Sequence, residues 1–144
     1  MLEDPFRFTT AQELEMAVRL VLAGVFGAAI GWERDMAEKP AGLRTLSLVS
    51  MGAALFSLIS QFGFPVTEGF RDPSRVAAQI VTGIGFLGAG TILISGARVR
   101  GLTTAASIWV TASIGMAVGS GMYIISVVGT VLSLIVLRVL PRGR

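Results

Sequence analysis

The sequence predicts an all-α, polytopic transmembrane bundle of about five membrane-spanning helices, and three observations carry that reading. Of its 144 residues, 53% are hydrophobic and only 15% charged, with a mean hydropathy of +0.75; ordinary soluble domains run near 25% charged. Its apolar stretches approach the ~20 residues needed to cross a hydrocarbon core. Within them glycine recurs at close spacing, which lets helix backbones approach where lipid supplies no hydrophobic drive to association.

The elements follow in order. Residues 1–13 read as a polar lead, acidic at the start and without a cleavage site, with Phe6 and Phe8 placed to dip into headgroups. Span one is expected at 14–32. It contains Arg19, one turn after Glu15, where a paired or snorkelling end-of-helix charge outweighs a pore-lining one. Gly27 and Gly31 form a GxxxG pair. A charge-dense loop follows, from Glu33, Arg34 and Asp35 through Glu38, Lys39 and Pro40 to Arg44. Span two is expected at 43–64, closed by Gly63 and Pro65.

Span three, 76–94, is expected to be the central helix. Asp72 can cap it and Pro73 suits its first turn, and Gly83, Gly85, Gly88 and Gly90 crowd its interior. A short basic connector with Arg98 and Arg100 leads to span four at 102–119, which carries Gly115 and Gly119. Span five is expected at 122–140, with a re-entrant hairpin of the last two as the alternative. Lys and Arg favour the cytoplasmic side. Arg34, Lys39, Arg44, Arg98, Arg100, Arg138, Arg142 and Arg144 share one side against Arg7, Arg19, Arg71 and Arg75. The N-terminus is therefore expected outside and the C-terminus in the cytoplasm.

Composition removes whole classes of chemistry. With no Cys and no His there are no thiolate nucleophiles, Cys/His zinc sites or His-based triads. A metal would be a hard, oxygen-liganded ion such as Mg²⁺, with Asp72 and Glu33 as weakly supported ligands, and no other cofactor is expected. The net charge of +3 resides in residues flanking the spans, not on a basic helix face, so nucleic acid is not expected as a partner. Gly83-Ile84-Gly85-Phe86-Leu87-Gly88 matches the dinucleotide fingerprint in letters only. It lies inside an apolar span, with no preceding strand and no acid about 20 residues on.

Polar residues inside spans need partners. Ser and Thr can bond back to their own helix. Gln79 does so less readily and is expected to bond a neighbouring helix. Asp72 is read first as an N-cap, and at i,i+3 it can also pair with Arg75.

Three blocks together carry a resemblance. They are Gly31-Trp32-Glu33-Arg34-Asp35 with Lys39-Pro40-Ala41-Gly42-Leu43-Arg44-Thr45, the stretch from Asp72 to Gly90, and Gly101-Leu102-Thr103-Thr104 through Gly115. In combination they resemble the MgtC/SapB family. The resemblance implies a bacterial inner-membrane protein tied to adaptation to low magnesium and to intracellular survival. It further implies action by binding membrane partners, the ATP synthase among them, and not by carrying Mg²⁺. The motif positions it marks are Glu33, Arg34, Gly42, Arg44, Thr45, Asp72, Arg75, Gln79, Thr104 and the four span-three glycines. The sequence departs from the family in two ways. It ends just after the last span, where many members continue into an ACT-like domain, and it has Leu46 where members often carry His or Asn.

Three functions are weighed. A non-enzymatic regulator that contacts membrane proteins, and assembles with copies of itself, comes first. A transporter or channel for Mg²⁺ or another small solute, with Asp72, Gln79 and Glu33 on its path, is the alternative. An intramembrane enzyme has no nucleophile–base pair to work with: the one lysine, Lys39, lies in a loop.

Overall fold

A computed structural model describes residues 8–64, 72–95 and 98–140. Among these described residues five helices make an all-α bundle: α1 (Thr10–Met36), α2 (Leu43–Phe62), α3 (Ser74–Gly90), α4 (Leu102–Gly119) and α5 (Tyr123–Val139). Of these, α1, α2 and α4 are long and apolar enough to cross a membrane, while α3 and α5 have 17 residues each. At 1.5 Å per residue those two measure about 26 Å. A two-stranded antiparallel hairpin, β1 (Leu93–Ser95) and β2 (Arg98–Arg100), lies between α3 and α4.

The helix ends show where sequence patterns acted. Thr9 and Gln12 form a capping box: the Gln12 N–H donates to Thr9 Oγ1 at 3.3 Å, and the Thr9 N–H donates to Gln12 Oε1 at 2.9 Å. This starts α1 four residues before the expected span and draws the last four residues of the polar lead into the helix. Phe8 packs edge-on against Phe62, with centroids 6.3 Å apart, while Phe6 lies outside the described residues. The helix α4 ends on Gly121 at φ +81°, with the Met122 N–H donating to the Ala117 carbonyl and the Gly121 N–H to that of Val118. That glycine turn separates α4 from α5 as two helices.

The expected span at 76–94 ends early. The helix stops at Gly90, and Leu93–Ser95 turns into the hairpin. Gly88 and Gly90 weaken the helix, and β-branched Thr91, Ile92 and Ile94 suit an extended chain. Pro65 and Arg71, in the expected connector before α3, fall outside the described residues.

The centre of the bundle is α4, not α3, and it contacts all four other helices. Its buried face runs Thr104, Ser107, Ile108, Thr111, Ala112, Gly115, Val118 and Gly119. Two pairs of glycines, each four residues apart, make close contacts between helices. A Cβ at Gly27 would sit 2.5 Å from the Leu46 carbonyl oxygen, and one at Gly31 2.5 Å from the Leu43 Cα. At Gly115 it would lie 2.1 Å from the Ser50 carbonyl oxygen, and at Gly119 2.6 Å from that of Ala54. Through these pairs α1 and α4 grip α2. By contrast, nothing lies within 4 Å of a Cβ at Gly83, Gly85 or Gly90, and Gly88 makes only ordinary contact with Ala105. Of the α3 glycines only Gly88 therefore packs inside this bundle, against α4, which corrects the expectation that other helices close on α3 through all four.

Candidate functional site

The polar residues gather at two opposite ends of the bundle. At the α1–α2 end, the last turn of α1 carries Glu33 and Arg34, only 6% and 3% exposed. Arg34 donates through Nε and Nη2 to one oxygen of Glu33 at 2.5 Å. A guanidinium suits the negative C-terminal end of a helix, and its pairing makes the adjacent carboxylate tolerable in the interior. Ile30, Ala41, Leu46 and Ile108 share a cluster here, which brings the buried Thr104 and Ser107 turns of α4 to the same end.

The connection from α1 to α2 is pinned by its own polar groups. The Lys39 N–H donates to the Arg34 carbonyl at 3.0 Å, and Glu38 takes φ +53°. Asp35 Oδ2 accepts from the Leu43 N–H at 3.0 Å and so caps α2. A Cβ at Gly42 would overlap that carboxylate, so glycine is needed for the approach. Arg44 and Thr45 then stand exposed on the first turn of α2, without a side-chain partner among the described residues. Arg98 and Arg100 are likewise exposed on β2.

At the other end, the Asp72 carboxylate accepts from the Ser74 N–H at 3.0 Å and from its hydroxyl at 2.5 Å. The Ser74 hydroxyl, then its N–H, hold the Asp72 carboxyl below its ordinary value, with the Arg75 charge adding a smaller effect. Asp72 and Arg75 make no ion pair with each other; the ion pairs among the described residues are Arg19–Glu15 and Arg34–Glu33. Gln79 is exposed and bonds no neighbouring helix, contrary to expectation, because α3 turns that face away from α4. The structure thus brings Glu33, Arg34 and Thr104 to one end, with Arg44 and Thr45 beside them. It leaves Asp72, Arg75 and Gln79 at the other. Among the described residues no three carboxylates gather as metal ligands. Each weakly supported ligand is otherwise engaged, Glu33 by Arg34 and Asp72 by Ser74.

Sequence reasoning missed a third node. Arg19 donates to Glu15 at 2.5 Å, to the Tyr123 hydroxyl at 3.1 Å and to the Gly119 carbonyl at 3.0 Å. Gln61 donates to the same Gly119 carbonyl at 3.2 Å. One guanidinium therefore ties α1, α4 and α5 at the C-terminal end of α4, where the helix dipole favours a cation, and Gln61 adds α2. Only the Glu15 spacing was visible in sequence; the rest is tertiary. Between the nodes, Ser50 and Thr111 are fully buried and their hydroxyls have no partner among the described residues.

Comparison with known proteins places this arrangement. No solved structure matches. A protein of Escherichia coli K12 named "Putative magnesium transporter YhiD" is 53% identical over 129 residues, covering 87% of this chain and 60% of that protein. Protein MgtC of Brucella abortus is 49% identical over 112 residues, covering 76% and 45%. The Synechocystis protein slr0014, named as uncharacterized, is 43% identical over 121 residues, covering 84% and 50%. The chain spans about half the length of the curated relatives it matches. The MgtC family model matches residues 20–143, from within α1 past the end of α5, so this membrane protein belongs to the MgtC family.

Proposed function

We propose that the chain is a bacterial inner-membrane regulator, with its N-terminus outside and its C-terminus in the cytoplasm, that binds and controls membrane partner proteins when magnesium is scarce. It acts by contact and not by catalysis, and Mg²⁺ sets the condition without being a held cofactor. One observation carries this reading: at the α1–α2 end the buried charges are satisfied internally, while Arg44 and Thr45 are presented outward from a pinned turn. A guanidinium beside a hydroxyl on a rigid edge suits carboxylates or carbonyls of a partner helix end. The excess of Lys and Arg at that end supports the cytoplasmic placement.

The test pairs cells with vesicles. Arg44→Ala abolishes growth support at low magnesium while leaving membrane abundance and thermal stability unchanged, and the purified protein moves Mg²⁺ no faster than empty proteoliposomes. Saturable Mg²⁺ flux would overturn the proposal in favour of a second reading, a solute path. The name of the Escherichia coli relative and the unpartnered Ser50 and Thr111 hydroxyls speak for that reading. Under it, Ser50→Ala with Thr111→Val removes the flux.

A further inference from the structure

We propose that the uncovered face of α3 is a two-fold interface with a second copy of this chain. α3 rests on α4 through Ile80, Ile84 and Gly88. At about 100° per residue, the opposite arc carries Asp72, Arg75, Gln79, Gly83, Phe86 and Gly90. All six are exposed, and Phe86 stands 81% exposed. Gly83 and Gly90 have nothing within 4 Å of a Cβ. Among the described residues neither Arg75 nor Gln79 has a side-chain partner. An amide turned to lipid costs free energy until it is hydrogen-bonded.

The glycines alone would not decide what covers the face; its self-complementarity does. Take a two-fold axis parallel to α3 and passing by Gln79. Asp72, Gly83 and Gly90 lie on one side of the midline, and Arg75 and Phe86 on the other. Rotation by the two-fold axis brings opposite sides together. Asp72 then meets the partner's Arg75, and Arg75 the partner's Asp72. The Gln79 amide, both donor and acceptor, meets the partner's Gln79. Phe86 projects between the partner's Gly83 and the partner's Gly90, a ring filling a gap that its own chain leaves open. This is the isologous pattern of a closed dimer. A different protein would have to supply both charges and both shapes independently, and lipid acyl chains offer neither the amide nor the ion pairs.

The absence of cysteine makes the test direct. In native membranes treated with a mild oxidant, Gln79→Cys gives a covalent dimer. Ile124→Cys, at a site 79% exposed on α5, stays monomeric. Adding Gly83→Leu and Gly90→Leu to Gln79→Cys lowers the dimer yield by about tenfold or more. The unfolding midpoint of the monomer stays unchanged, because those side chains enter open space. Arg75→Asp lowers the yield, and combining it with Asp72→Arg restores it. Equal cross-linking at positions 79 and 124, indifference to the leucine pair, or a discrete adduct between position 79 and a different protein each overturns the proposal.

Discussion

Replacing Gly115 by alanine puts a methyl carbon 2.1 Å from the Ser50 carbonyl oxygen, with the Ser50 carbonyl carbon and Cα at 2.7 and 2.8 Å. Ordinary contact begins at 3.4 Å, and all three obstructing atoms are backbone, so no side-chain rotation relieves the clash. The α2–α4 crossing must open by roughly 1 Å, which also loosens the neighbouring Gly119–Ala54 contact; overpacking of this kind costs about 1–3 kcal/mol. In a membrane the loss is not recovered by burying the methyl group, because lipid is as apolar as the interior. Gly52→Ala, at a glycine with nothing within 4 Å, should lie within about 0.5 kcal/mol of wild type. The assay is reversible unfolding in mixed micelles, followed by fluorescence of the two tryptophans, Trp32 on α1 and Trp109 on α4. Equal stability of the two variants would refute the placement of α4 at the centre.

Three further outcomes follow from the polar nodes. Arg34→Ala strands Glu33 in the interior and should destabilise the fold by about 3 kcal/mol, with Glu33→Gln in the same background recovering part of it, as seen by the same unfolding assay. Arg34→Ala is for that reason a poor probe of function, and Arg44→Ala the better one. Arg19→Gln removes one of the two donors to the Gly119 carbonyl, leaving Gln61, and takes away the guanidinium on the Tyr123 hydroxyl, so amide exchange at the α4–α5 turn should rise while that at the α1–α2 turn stays unchanged. The lowered Asp72 pKa means that its carboxylate supports the first turn of α3 above the ordinary value of 3.8 and that the support is lost as pH falls through the lower folded value. Amide exchange at Ser74 should accelerate in that acid window, and Asp72→Asn should abolish the dependence.

Membrane class was legible in the uncharged stretches, and the α1 and α4 contacts in the spacing of Gly27 with Gly31 and Gly115 with Gly119. Residues four apart lie on one helix ridge, so each pair makes a single groove. The four α3 glycines, spaced by two, three and two, are spread around the helix, and their number misled where their angles would not have. The hairpin was hidden because Leu93 and Ile94 extend the apolar run while their β-branched and glycine neighbours end the helix. Of the site, the Glu33–Arg34 concentration was visible, but its burial was not, since adjacent charges on a helix ordinarily point to solvent. Arg19 read as a local pair with Glu15, whereas its other partners lie about 100 residues away and no local pattern encodes them.

Regulation by contact is tested most directly at Thr45, which is exposed beside Arg44. A photo-cross-linking side chain replacing Thr45, activated in magnesium-starved cells, should yield a discrete adduct with another integral membrane protein, and Arg44→Ala should abolish it. Adducts with lipid alone, unaffected by Arg44→Ala, would contradict the account.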